Sequence, residues 1–165
     1  MLIKGIDFPE DLLRAQSAGE LVIFCGAGIS NPPPSSLPLF AELAAMIGHG
    51  CGLKKEPSDP EDRYLGRLKK RGVRVHEAAA QILLNETTKP HELHRHIVKL
   101  FSAADKVRVV TTNFDTHFPT VSRELFGGAV AIFTAPALPL GDDFSGLVYL
   151  HGSAAFRGDI SDHGS

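Results

Sequence analysis

An α/β fold built on a parallel sheet with helices on both faces is what this sequence predicts, and three observations predict it. Short apolar runs at residues 21–25, 106–111 ("KVRVVT"), 129–133 and 147–150 have the length and composition of strands. Stretches of helical spacing separate them, and strands joined through helical crossovers pair in parallel with both faces covered. Three of the strands run into polar or glycine residues: Gly26-Ala27-Gly28, Thr112-Asn113-Phe114-Asp115 and His151-Gly152. Such sheets place ligands at the carboxyl ends of their strands, so that shared edge is the expected site.

The elements follow in order. Residues 9–18 ("PEDLLRAQSA") open with Pro-Glu-Asp, suited to a first helical turn, and stop at Gly19. The run 21–25, bounded by Glu20 and Gly26, reads as a buried strand. Residues 37–48 have helical spacing, with Phe40, Leu43, Ala44 and Ile47 on one stripe. Residues 48–60 ("GHGCGLKKEPSDP") read as loop, and helices follow over 61–70 and 75–84. Pro90 and His91 open another, running to about residue 101, with Leu93, Ile97, Val98 and Leu100 as its apolar set. After the strand 106–111 come a helix over 116–125 and strands at 129–133 and 147–150. A helical insertion, about 48–104, thus separates the first two strands.

Bulk properties narrow the function classes. A chain of 165 residues is most simply one domain with a real core. It is 43% apolar and 22% charged, and its net charge of −2 recommends neither a nucleic-acid nor an anionic-membrane surface. No apolar run approaches the roughly 20 residues of a membrane span. The start, "MLIKGIDFPEDLL", lacks the basic-then-apolar order of a secretory signal. Cys25 and Cys51 are too few for a disulfide framework or a four-thiolate zinc site, so a reducing cytoplasm is expected.

Each motif has a structural and a chemical reading. Gly26 and Gly28 either make a tight strand exit or let the backbone approach a diphosphate. A dinucleotide fingerprint needs a third glycine where Asn31 stands, and Pro32, Pro33 and Pro34 carry no amide protons to bind an anion. The ribose-binding acid of an ordinary dehydrogenase, roughly 20 residues on, is also missing. Asn113 and Asp115 are turn and cap residues, or the Asn113 amide holds a ribose hydroxyl or a water. His151 gains chemical weight from sharing an edge with the other two motifs. His91, His94 and His96 ("HELHRH") read as a solvated helix face rather than a metal site: His96 points away from the other two, and the HExxH spacing is absent. Cys25 reads as a small buried hydrophobe, and Cys51 has no evident partner.

Taken together, the three strand ends resemble the sirtuin family, and more closely its bacterial, zinc-free branch of NAD-consuming domains linked to phage defence. "GAGIS" at residues 26–30 matches the family's first motif. "TTNFD" at 111–115 is similar to Thr-Gln-Asn-Ile-Asp, and "HG" at 151–152 matches the third. "SLPLFA" is similar to Gly-Ile-Pro-Asp-Phe-Arg at Pro38 and Phe40, while Leu39 and Ala41 replace the Asp and Arg. The resemblance implies a Rossmann-like sheet on which Gly26, Ala27 and Gly28 approach the diphosphate of NAD, with Ser30 and Thr112 nearby. It implies that Asn113 holds the nicotinamide ribose and the attacking water, that Asp115 binds the carboxamide, that Phe40 shields the nicotinamide, and that His151 is the general base.

The deacetylases of this family carry a four-cysteine zinc module, and no Cys-x-x-Cys occurs here. The resemblance therefore implies NAD as substrate, no zinc, and hydrolysis to nicotinamide and ADP-ribose in place of deacylation. Binding of NAD or ADP-ribose as a signal, without chemistry, is the alternative. The family further implies a homo-oligomer, with a defence-system partner protein or a C-terminal sensor domain, and no direct contact with nucleic acid or membrane. The chain ends where such domains ordinarily continue, so it is expected to be the N-terminal part of a longer protein.

Overall fold

The computed structural model describes residues 2–141 and 143–154. Its centre is a four-stranded parallel sheet with helices on both faces, a Rossmann-like arrangement. A short hairpin, β1 (Leu2–Ile3) and β2 (Ile6–Asp7), precedes it, turning through Lys4 and Gly5 at φ 49° and 82°. Positive φ at both central residues is what a two-residue hairpin needs. The hairpin has no counterpart among the expected elements, because strands of two residues carry no readable alternation.

Helix α1 (Glu10–Ala18) starts after Pro9 and ends at Gly19, whose φ of 75° is the left-handed cap expected of it. Strand β3 (Ile23–Cys25) begins two residues later than the apolar run suggests. It lies at the edge of the sheet, whose order is β3, β4 (Arg108–Thr111), β6 (Gly146–Tyr149), β5 (Ile132–Thr134). Edge position corrects the expectation of a buried strand: Cys25 is inside, but Phe24 is 64% exposed. Fully apolar runs are burial signals only when both faces and both edges are covered.

Between β3 and β4 lies the helical insertion: α2 (Phe40–Gly48), α3 (Glu61–Lys70), α4 (Val75–Leu83) and α5 (Glu92–Val98). Helix α2 starts at Phe40 because Pro38 disfavours helical backbone before it, and the Glu42 carboxylate accepts the Leu39 N–H at 2.8 Å. Helix α6 (His117–Phe126) then connects β4 to β5.

Two cores result. One, with Val98, Phe101, Val109, Phe118, Val121 and Leu147, joins the sheet to α5 and α6. The Arg95–Glu124 ion pair ties these two helices at the surface. The other, with Leu43, Ile47, Tyr64, Leu68, Val75 and Leu83, holds α2, α3 and α4 together. Phe114, from the turn after β4, packs against this second core and so lies at the seam.

The register decides what the seam contains. Cys25 pairs with Thr111, Thr111 with Tyr149, and Tyr149 with Thr134. The strands therefore end in line, and the segments after Cys25, Thr111 and Tyr149 leave the sheet on one edge.

Gly48 shows why the helical module is tight. A Cβ there would overlap the hydroxyl and ring of Tyr64, whose OH donates to the Leu53 carbonyl at 3.0 Å. Gly66, inside α3, faces open space. Gly48→Ala is expected to destabilise the chain by about 1–3 kcal/mol through overpacking. Gly66→Ala is expected to stabilise it by roughly 0.5–1 kcal/mol through helix propensity. Urea denaturation of both variants measures the contrast.

Candidate functional site

Gly26 leaves β3 in extended conformation, and Ala27–Ile29 form a 3-10 turn. Neither Gly26 nor Gly28 has positive φ. A Cβ on Gly26 would sit 3.8 Å from Thr112 Oγ1, an ordinary contact, and one on Gly28 would meet nothing. The chain's own packing therefore does not demand glycine at either position.

The loop beyond this turn is anchored at both ends. Leu37 N–H donates to the Ser30 carbonyl at 2.9 Å, Asn31 Nδ2 donates to the Leu37 carbonyl at 3.1 Å, and Ser35 Oγ donates to the Lys89 carbonyl at 2.8 Å. Leu37 and Pro38 are thereby set as one wall of a cavity. Phe40, at the first position of α2, forms another part of that wall and is half-exposed.

The turn after β4 is held as firmly. Thr111 Oγ1 donates to the Cys25 carbonyl at 3.1 Å and accepts the Asn113 N–H at 3.0 Å. Asp115 Oδ1 accepts the His117 N–H at 3.0 Å, so this carboxylate satisfies the first N–H of α6 from the residue before its N-cap, Thr116. Tyr149 OH donates to the Asp115 carbonyl at 3.0 Å, and burial beside that carboxylate pushes the phenol's pKa well up.

Ser30 is the centre of the arrangement. Its hydroxyl donates to Asp115 Oδ2 at 2.8 Å and accepts from Asn113 Nδ2 at 3.2 Å. His94 Nε2 lies 3.1 Å away. His94 Nδ1 lies 3.1 Å from the His91 N–H and 3.2 Å from the His91 carbonyl; because the single Ser30 proton goes to Asp115, the ring proton that completes the set is the one on Nε2, and Nδ1 then accepts from the His91 N–H. The hydroxyl is then saturated: one donor and two acceptor positions, all used. Burial pushes the His94 pKa down from 6.5 to about 4, against the opposing pull of the Asp115 carboxylate. The same burial lowers His117, whose ring meets that of His94 edge-on at 5.2 Å.

His94 corrects the expectation of a solvated histidine face. It is fully buried, while His91 caps α5 by accepting the Leu93 N–H on its Nδ1 at 3.1 Å, and only His96 is exposed. The buried stripe of α5 is His94, Val98 and, beyond the helix, Phe101; Leu93 and Leu100, expected inside, are exposed. The spacing carries the signal, since 94, 98 and 101 share a face, but histidine as a residue type does not mark an inward position. Among the described residues no group of three potential ligands is placed to hold a metal ion. Cys25 is buried as expected, and burial pushes its thiol up to about 11, an unreactive range.

These segments enclose a cavity of about 560 Å³ at the carboxyl edge of the sheet. Ala27, Ser30, Phe40, Thr112, Asn113, Asp115 and His151 all line it; Gly26 and Gly28 flank it on the first turn without lining it. A second cavity of about 490 Å³, between the helical module and the sheet, adjoins it across Phe40, Asp62, Leu83, Phe114 and His151. Asn113 is 4% exposed, and its Oδ1 has no hydrogen-bond partner among the described residues. An acceptor buried without a partner costs free energy unless a ligand or water supplies the donor. His151 is exposed at the cavity mouth, its ring 6.4 Å from that of Phe114. Gly152, at φ 85°, makes the turn behind it.

No model of a known protein family matches the chain. The uncharacterized protein y4cA of Sinorhizobium fredii (strain NBRC 101917 / NGR234) is 33% identical over 171 residues, an alignment that takes in 97% of this chain and 14% of that protein. The chain thus spans a small part of the length of the curated relative it matches. Among the described residues no helix is long and apolar enough to cross a membrane.

Ser30→Ala strands three buried partners at once, one of them a carboxylate. It is expected to cost about 2–3 kcal/mol in denaturant unfolding. The buried histidines set a pH dependence as well. His94 is held neutral in the folded chain, so between pH 6.5 and about 4 the unfolded chain binds the extra proton. Stability is complete above pH 6.5 and is lost as the pH falls towards 4. Melting temperatures across this window are expected to drop, and to drop less steeply in His94→Gln.

Proposed function

We propose that this chain is the NAD-binding part of a sirtuin-like NAD glycohydrolase that cleaves NAD to nicotinamide and ADP-ribose. The observation that carries the reading is the cavity at the strand ends, into which Ser30, Asn113 and Asp115 converge and where a buried Asn113 Oδ1 lacks a donor. Two glycines that the fold itself does not need stand at its first turn.

In this reading the amides at the start of the 3-10 turn receive the diphosphate, close to Gly26, Ala27 and Gly28. Asn113 Oδ1 accepts from the nicotinamide ribose or from the attacking water. The Ser30 hydroxyl accepts from Nδ2 and so holds the amide, which leaves Oδ1 as the atom free for the substrate. Asp115 keeps lone pairs for the carboxamide, Thr112 lies beside the ribose, and Phe40 covers the ring. The bond between C1′ and the ring nitrogen breaks with its electron pair going to nicotinamide, which leaves neutral. Positive charge develops at C1′, water forms the new C–O bond, and its proton goes to His151 and on to solvent. The role of the whole protein as a homo-oligomeric defence effector that depletes NAD, with a partner protein or a sensor domain as its trigger, rests on the family resemblance alone.

A second reading, binding of NAD or ADP-ribose without hydrolysis, is favoured by one observation: no hydrogen bond among the described residues orients the His151 imidazole. Nicotinamide release from NAD by the full-length protein separates the two. Hydrolysis is expected, reduced roughly 100-fold or more in Asn113→Ala and in His151→Ala with melting temperature retained. Binding of NAD with no release by the wild type would establish the second reading. Near-wild-type release by either variant would remove that residue from the mechanism.

A further inference from the structure

The two faces of the sheet are packed unequally. Ile23, Val109, Leu147 and Ile132 lie in one row across the four strands and join the core with α5 and α6. The next row, on the opposite face, is Phe24, Val110, Val148 and Phe133, aligned in the same register. Val148 is buried, Val110 and Phe133 are half-buried, and Phe24 is 64% exposed. None of these four belongs to either core, and no residue of α1 is buried.

The outer edge of β3 is open as well. The Cys25 carbonyl accepts the Thr112 N–H at 3.1 Å, so Cys25 turns its backbone groups to β4, and alternation turns those of Phe24 outward. Among the described residues no strand pairs with that side. Val22, two residues earlier, is 42% exposed. A single exposed Phe is ordinary. An apolar row that crosses four parallel strands and ends at an open edge is not, because parallel sheets bury both faces.

Connection handedness says what comes to this corner. From β3 to β4, and from β4 past β6 to β5, the chain moves in one direction across the sheet. The helices of those two crossovers that pack on it, α5 and α6, lie on the Val109 face. Crossovers between parallel strands are right-handed, so a connection running the opposite way passes over the other face. A chain leaving β6 for the open side of β3 runs the opposite way. It passes over Val148, Val110 and Phe24 in turn. The curated relative has ample chain for such an addition, since the alignment takes in 14% of that protein.

We propose that the segment following residue 165 in the full-length protein crosses this face as an amphipathic helix and adds a fifth parallel strand along β3. The helix covers the row from Val148 to Phe24, and the strand pairs with the Phe24 N–H and carbonyl. An edge strand thereby becomes an interior one. The inference rests on packing and handedness and is independent of what the cavities bind.

The test places photoreactive p-benzoylphenylalanine in place of Phe24 in the full-length protein and maps the cross-linked peptides by mass spectrometry. In parallel, maleimide labelling compares Phe24→Cys with Leu140→Cys, an exposed control, each in a Cys51→Ser background. A cross-link within one polypeptide to a segment beyond residue 165 is expected. Phe24→Cys is expected to label roughly 10-fold more slowly than Leu140→Cys, or slower still. The photoreactive variant keeps an aromatic ring at the position and decides the case if Phe24→Cys does not fold. A cross-link to a second copy assigns the face to an interface between copies and overturns the inference. So does a cross-link confined to residues 1–165 of the same chain. Labelling of Phe24→Cys as fast as Leu140→Cys, with no cross-link, shows an open face in the full-length protein and overturns it too.

Discussion

The saturated hydroxyl of Ser30 is the interaction on which the site depends. It joins the turn after β3, the turn after β4 and the last helix of the insertion through Asp115, Asn113 and His94. All four side chains are buried, so each polar atom must find a partner within the chain or forfeit the hydration it lost. The geometry that satisfies Ser30, Asp115 and His94 leaves one atom over, the carbonyl oxygen of Asn113. Structural polar residues and candidate chemistry are thus one network, in which the first three hold the fourth.

The parallel register gives that network its place. Cys25, Thr111, Tyr149 and Thr134 lie in one row, so the segments beyond these strands emerge on the same edge. The insertion returns over that edge with its own core, and the two cavities are the space left where the cores fail to merge. Phe114 belongs to both sides: its backbone is part of the strand-end turn, and its ring packs on the helical core.

Much of this architecture is legible in the chain's local patterns. The bounds of α3, the cap of α1 at Gly19 and the position of β6 follow from charge, glycine and apolar spacing. The convergence of three strand ends follows from topology, since helical crossovers force the strands to run the same way. The expectations that failed did so for particular reasons. The β1–β2 hairpin is too short to show a period. Phe24 looked buried because composition does not say which strand is at an edge. His94 is buried against expectation because its position on the inward stripe, and not its polar residue type, decides its burial.

The sequence by itself determined the elements, their parallel order and the polar residues that end three strands, because those properties are local or follow from chain connectivity. Tertiary structure alone decided that Gly26 and Gly28 are not needed by the backbone, that His94 reaches Ser30 across 64 residues of chain, and that Asp62 stands in the cavity wall. Each of these depends on distances between segments far apart in sequence, and no periodicity or composition encodes such a distance. The tertiary structure also left Asn113 Oδ1 without a partner, since whether an acceptor is satisfied depends on every neighbour it has.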